Sequence, residues 1–172
     1  MKNLDTKYLF ACLGIVALVT FAPEPARAQS ESMDEMTKLV AVYELTMPHL
    51  EAYGAVMTAM TDWAIANPKE FAAMQARVPK GTTTVEQSIA ALDKEPVVKA
   101  LLDKHRLSAR DLVLLPMAAM QAHIAALGEA QGRTFPAGLI NPKNVALDKA
   151  NAARIEAIMT QVAADRSRAT GR

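Results

Sequence analysis

Methionine and histidine are the residues of this chain whose chemistry and spacing suggest a cofactor. Met117 and Met120 are three residues apart, a spacing that places both thioethers near one face of a helix, and His123 follows after three more. Together they predict a site for a soft metal ion such as Cu(I), with haem as the other cofactor that histidine and methionine can hold. Met47 and His49 form a second possible donor cluster beside Pro48.

The same methionine spacing also has a structural explanation. A helix core requires apolar residues three and four positions apart, and methionine fills irregular gaps where aromatic residues are few. The chain has ten methionines but only one tryptophan, three tyrosines and four phenylalanines. Core packing without a cofactor is therefore the main expectation. A third alternative is a groove for an apolar ligand or a partner helix, with these lining residues: Met47, His49, Met57 and Met60.

Signatures of catalysis are missing from the sequence. It contains no glycine-rich phosphate loop, no Gly-x-Ser-x-Gly, no His-Glu-x-x-His and no Glu-x-x-His. Its one cysteine, Cys12, lies near the amino terminus within an apolar run, so residues 29–172 have no thiol nucleophile or thiolate metal site. The sequence predicts that the protein is not an enzyme.

Helix start signals recur along the chain. They are Asn67-Pro68, the capping-box spacing from Thr83 to Glu86, Glu95-Pro96, Ser108 with Asp111, and Asn141-Pro142. The predicted helices are 33–65 with a break near Pro48, 68–77, 84–92, 96–105, 109–130 with a kink at Pro116, and 142–166 with a break near Asn151.

Apolar periodicity supports an all-α fold. Residues of the fifth predicted helix form one stripe: Val113, Met117, Met120, Ile124 and Leu127. No segment of useful length alternates with the period of a strand. We expect a compact bundle of five to seven helices, kinked near Pro48 and Pro116, in one domain over residues 29–172 with a frayed basic tail at 166–172. A buried stripe would indicate a structural role, and an exposed apolar groove would indicate binding.

Three short motifs resemble those of a loose family of small exported helical proteins of bacteria. They are Tyr43-Glu-Leu-Thr-Met47, the helix 96–107 that leads into Ser108-Ala-Arg-Asp111, and Asn141-Pro-Lys-Asn-Val145. The resemblance implies a helical fold and an exported protein, with no assigned activity. It also implies that residues 43–47 are a junction at which Thr46 caps the second helix.

The first 28 residues have the pattern of a Sec-type signal peptide. Lys2 and Lys7 precede an apolar run over residues 8–22, and Pro23-Glu-Pro25 then leads to Ala26-Arg-Ala28. The run is shorter than the roughly 20 residues that a membrane span needs. The sequence therefore predicts cleavage after Ala28 and export to the periplasm or beyond. Cys12 lies too early in the run for a lipoprotein site, and a leader kept as an anchor is the alternative to cleavage.

Charge is nearly balanced, with 19 basic and 18 acidic residues. Such a chain has no strong electrostatic attraction to nucleic acid or anionic lipid. We therefore expect a partner that is another protein or an apolar ligand, no nucleic acid, and no stable membrane span once the leader is removed. The predicted role is binding or structural, and the soft-metal or haem protein remains the alternative.

Overall fold

The computed structural model of the chain describes residues 36–77, 84–136 and 138–170. The predictions for the leader, for Cys12, for the cleavage site and for the first residues of the helix predicted from residue 33 lie outside the described residues. Seven helices and no strand occur within these ranges, which confirms the all-α bundle. The helices are α1 (36–42), α2 (Met47–Ala66), α3 (Pro68–Arg77), α4 (Val85–Asp93), α5 (Pro96–His105), α6 (Ala109–Ala130) and α7 (Pro142–Thr170).

The predicted break near Pro48 falls before the proline. Residues 43–46 are not helical, and Thr46 has the extended backbone of an N-cap, with φ −133° and ψ 151°. Its hydroxyl accepts a hydrogen bond from the His49 N–H at 3.3 Å. Pro48 lies in the first turn of α2, where the missing N–H removes no helical hydrogen bond. The break therefore marks a helix start.

The capping box of α4 lies one residue later than predicted. Thr84 is the N-cap, and its hydroxyl accepts from the Gln87 N–H at 3.2 Å, while the Gln87 carboxamide accepts from the Thr84 N–H at 3.0 Å. The prediction from Thr83 and Glu86 was wrong. The pair Thr84 and Gln87 has the same spacing and the same capping residue types, so the sequence allows either register. The box of α6 lies as predicted, with Ser108 and Asp111 bonding reciprocally at 3.1 and 2.8 Å.

Three long helices make the centre of the bundle. Helix α7 packs along both α2 and α6, and the shorter α4 and α5 pack against α6 and α2, respectively. Leu50 of α2 and Leu112, Leu114 and Leu115 of α6 are fully buried. Helix α6 continues through Pro116 and is apolar and long enough to cross a membrane, but just over half of its most apolar window is buried in the bundle. A core helix of a globular protein has the same composition.

The basic tail is described as far as residue 170, and its fraying stays a prediction. Residues 166–170 continue α7, and Arg168 bonds to Asp62 of α2 at 2.8 Å and to Asp165 at 2.9 Å. These contacts hold the final turns against α2, and no local pattern of residues predicts them. The predicted break near Asn151 is confirmed: its backbone is non-helical, and its side chain donates to the Leu147 carbonyl at 3.0 Å.

Candidate binding surface

The three motifs that carry the family resemblance meet at one junction. The side chain of Asn144, which is almost fully buried, accepts a hydrogen bond from the Leu45 N–H at 2.8 Å and donates to the Tyr43 carbonyl at 2.8 Å. Asn141 donates to the same carbonyl at 3.1 Å. Because residues 43–46 are not helical, their buried backbone groups need such partners. These asparagines therefore hold the link between α1 and α2 to the start of α7.

Asp111 connects the same junction to α6. Its carboxylate accepts from the Tyr43 hydroxyl at 2.7 Å and from the N–H and hydroxyl of Ser108 at 2.8 and 2.7 Å. Burial raises the pKa of Asp111, but these hydrogen bonds and the charge of His49 outweigh it and hold the pKa below its usual range. Burial and the bond to Asp111 raise the pKa of Tyr43. The Ser108 hydroxyl is committed to the capping box, so the cluster is structural.

The predicted groove residues on α2 mostly face the core. The methionines Met47, Met57 and Met60 are half-buried and pack against the main core. His49 is also half-buried, and its Nδ1 has no hydrogen-bond partner among the described residues. The structure thus gives these methionines a packing role, and their grouping as a ligand site stays a prediction.

The predicted metal ligands on α6 are in different environments. Met117 packs against the main core, whereas Met120 is half-buried and belongs to neither core cluster. The Nδ1 atom of His123 lies 3.2 Å from the carboxylate of Asp148, which is almost fully buried. Among the described residues, no group of three or more histidine, cysteine, aspartate or glutamate side chains is placed to hold a metal ion. The methionine-based site therefore stays a prediction.

The apolar stripe of α6 is exposed at its carboxyl-terminal end. Ile124 is 50 % exposed and Leu127 is 42 % exposed, while Val113 and Met117 pack partly against the core. The residues that α6 buries lie mainly on its other side. They include two leucines and five alanines: Leu112, Leu115, Ala118, Ala119, Ala122, Ala125 and Ala126. The periodicity had identified an amphipathic helix, but the stripe is not its fully buried face. Alanines take that place because they let α6 pack closely on its neighbours.

The chain after α6 turns back and enlarges the exposed stripe. The Gln121 side chain donates to the Leu139 carbonyl at 2.8 Å, and the Phe135 ring lies over Gly128, where a Cβ atom would come within 2.6 Å of it. Gln121 and Gly128 are each within one turn of Ile124 on α6. The half-exposed side chains of Phe135 and Leu139 therefore lie beside the stripe. We call this surface the α6 patch; its residues are Met120, Ile124, Leu127, Phe135 and Leu139.

Three of the five patch residues, Met120, Ile124 and Leu127, were visible in the sequence. The stripe followed from periodicity, whereas Phe135 and Leu139 belong to a loop whose path only the fold determines. Gly128 was the available signal, because a glycine near the end of a long helix often marks a close approach.

An open cleft of about 360 Å³ lies between α2, α3 and α5. Trp63 and Met74 line it, and Arg77 and Glu95 neutralise each other there through two hydrogen bonds of 2.8 and 2.7 Å. Glu70 also lines this cleft. Because the residues of the α6 patch are all described, the α6 patch is the better defined surface.

Comparisons of the chain with protein-family models, with curated proteins and with solved structures found no match. The resemblance to exported helical proteins stays a prediction. The geometry of the described residues is therefore the basis for inferring a function.

Proposed function

We propose that this protein is an exported, non-catalytic binding protein that holds its partner through the α6 patch. The observation that carries the proposal is the exposure of Ile124 and Leu127 on the central helix of the bundle. Export follows from the leader pattern of residues 1–28, which ends in Ala26-Arg-Ala28.

The patch combines properties that favour recognition. Its five apolar side chains lie on one face of α6 and on the loop packed beside it, and an exposed apolar surface of this kind is typical of a contact site. Two of them lie on a helix packed in the bundle, and the loop residues are held by the Gln121 hydrogen bond and by Gly128. A partner therefore meets a preformed surface, which reduces the conformational entropy lost on binding.

Charged substitutions on the patch test the proposal against a matched control. Ile65 of α2 is 49 % exposed, so Ile65→Asp controls for Ile124→Asp at equal exposure. We expect Ile124→Asp to reduce binding of the apolar dye anilinonaphthalene sulfonate at least fivefold, with Ile65→Asp near the wild-type value. Circular dichroism checks that both variants stay folded.

The same variants test the partner inside the cell. A photo-crosslinking residue at position 127 should give a specific adduct in the periplasm, and Ile124→Asp should remove it. Equal dye binding and equal crosslinking in the Ile124→Asp and Ile65→Asp variants would falsify the proposal.

The second candidate function is soft-metal or haem binding, and one contact favours it. Asp148 holds Nδ1 of His123, as a carboxylate does behind many metal-bound imidazoles, and Met120 lies one turn earlier on α6. Titration with Cu(I) against a chelator, and with haem by its absorbance, tests this role. The candidate requires that Met120→Leu and His123→Gln weaken binding at least tenfold and that Met159→Leu, a substitution of a buried core methionine, does not.

A further inference from the structure

Met120 differs in its packing from the other methionines that the structure describes. Seven methionines lie in the main core or pack against it: Met36, Met47, Met57, Met60, Met74, Met117 and Met159. Met120 is half-buried and belongs to neither core cluster, and Ile124, one turn further along α6, is 50 % exposed. The thioether of Met120 therefore lies at the outer edge of the bundle, where small solutes can reach it.

Met120 is also the only member of the α6 patch that an oxidant can readily make polar. The other four side chains, those of Ile124, Leu127, Phe135 and Leu139, contain only carbon and hydrogen. A thioether, in contrast, is converted to a sulfoxide by mild oxidants, and this replaces a flexible apolar side chain by a polar one. The polarity of the patch can therefore change at one position.

Hydrogen peroxide is the oxidant that this chemistry requires. The lone pair of the sulfur attacks one oxygen of the peroxide, so that an S–O bond forms as the O–O bond breaks. The proton on the attacked oxygen passes to the leaving hydroxide, which departs as water. The sulfur is oxidised and the peroxide is reduced. A thioether packed in the core is reached only when the bundle opens locally, so it reacts more slowly.

We propose that Met120 is a site of oxidation by peroxide and that its sulfoxide weakens binding at the α6 patch. Met120 and Ile124 lie one turn apart on the same stripe, so an apolar partner that covers Ile124 would also remove water from the sulfoxide oxygen. A polar group that loses water without gaining a hydrogen bond costs free energy. Oxidation thus lowers the affinity of the patch while the fold stays unchanged. This inference rests on the proposed function and adds a regulation of the same site.

Peptide mapping by mass spectrometry tests the site of oxidation. The test protein carries Met33→Leu, so that every remaining methionine of residues 29–172 belongs to the described part of the chain. It is treated with hydrogen peroxide for increasing times. We expect Met120 to oxidise at least fivefold faster than Met57, Met117 or Met159, with unchanged circular dichroism. A core methionine that reacts as fast as Met120 in the folded protein would overturn the inference.

Binding of anilinonaphthalene sulfonate tests the consequence of oxidation. Each protein is compared with its own untreated sample, since Met120 belongs to the patch. Peroxide should lower dye binding of the Met33→Leu protein at least threefold. Met120→Leu should remove this sensitivity, and Met159→Leu, at a buried core methionine, should keep it. Met120→Gln, which places a polar side chain on the patch without peroxide, should bind less dye than Met120→Leu.

The outcomes separate this inference from the proposed function. If Ile124→Asp lowers dye binding but oxidation of Met120 does not, the regulation is overturned and the proposed function stands. If peroxide lowers dye binding equally in Met120→Leu, the effect comes from another residue and the inference is overturned as well. If Ile124→Asp leaves dye binding unchanged, the proposed function fails and the effect on binding fails with it. The peptide map then still decides whether Met120 is the most reactive methionine.

Discussion

Asn144 satisfies two backbone groups of the link between α1 and α2 with a single carboxamide. Tyr43 and Asp111 join the same link to α6 through one hydrogen bond of 2.7 Å. Polar residues that are spread over about a hundred positions of the sequence thus act together at one junction. Their burial and their hydrogen bonds give them an architectural role, which explains why these residue types occur at these positions.

Asn144→Ala should destabilise the protein by about 2–3 kcal/mol, because it leaves the Leu45 N–H and a lone pair of the Tyr43 carbonyl without this buried partner. The measurement is urea unfolding followed by the fluorescence of Trp63. Lys143→Ala is the matched control, since this neighbouring side chain forms only an exposed ion pair with Glu44 and should cost well under about 1 kcal/mol. Equal losses in the two variants would contradict the role of Asn144.

Asp165 makes the stability depend on pH. Burial raises its pKa, but hydrogen bonds from Thr58, Gln161 and Arg168 outweigh that effect and lower it. A lowered folded-state pKa gives stability that is fully present above the unfolded-state pKa of about 4 and is lost as the pH falls through the folded-state pKa.

The prediction is therefore that Asp165→Asn is less stable than the wild type at about pH 6, and that the difference shrinks at about pH 3. Urea midpoints at both pH values measure this. Asp93→Asn, at an exposed carboxylate of α4, serves as the control and should differ little from the wild type at either pH. A difference for Asp165→Asn that grows as the pH falls would refute the assignment.

At the scale of the element, α6 has two apolar faces with different uses. One is rich in alanine and buried, which allows close packing on α7 and α4. The other carries larger side chains and is half-exposed at Ile124 and Leu127. A helix with apolar residues on both sides is common inside a large core, but here the carboxyl-terminal part of the second side lacks cover among the described residues, which is why it is the candidate surface.

Because Gly128 has no side chain, the loop can pack on α6 at this position. The effect of Gly128→Ala on the stability of the protein should therefore change sign when Phe135 is removed. Gly128→Ala alone should destabilise the protein by about 1 kcal/mol, because its Cβ would lie within 2.6 Å of the Phe135 ring. In the Phe135→Ala background the clash is gone, and the same substitution should stabilise α6 by about 1 kcal/mol through helix propensity. Urea unfolding of the four proteins measures both effects. A stability change of the same sign in both backgrounds would show that the packing of the Phe135 ring on α6 does not require a glycine at position 128.

At the scale of the whole molecule, the bundle has no cysteine after residue 12, so no disulfide stabilises residues 29–172. Its stability comes from helix packing, from caps such as Thr46 and Ser108, and from buried polar contacts such as those of Asp165. Such a domain does not depend on the redox state of its compartment, which suits the proposed export.

Export itself is the prediction at this scale. The mass of the protein recovered from the periplasm should match a chain that begins at Gln29, because Ala26 and Ala28 form the small-x-small cleavage site. Ala28→Leu should leave the longer precursor in the membrane fraction, and Ala11→Leu in the apolar run should not. A full-length protein in the periplasm, or a protein confined to the cytoplasm, would contradict the prediction.

Local sequence determined the helices themselves. Pro68, Pro96 and Pro142 begin helices where the cap-and-proline signals predicted, and Ser108 caps α6. These features depend on interactions within one turn of the chain, so residue types and short spacings are sufficient to predict them. The apolar stripe of α6 was visible for the same reason.

Tertiary structure alone decided which faces are covered. Periodicity shows that α6 has an apolar stripe, but the packing of α7 and α4 leaves Ile124 exposed and buries the alanines instead. The meeting of Phe135 with Gly128 and of Arg168 with Asp62 joins residues that the sequence does not link by any pattern. Burial depends on what the rest of the chain places against a helix, and for that reason the α6 patch became visible only in the fold.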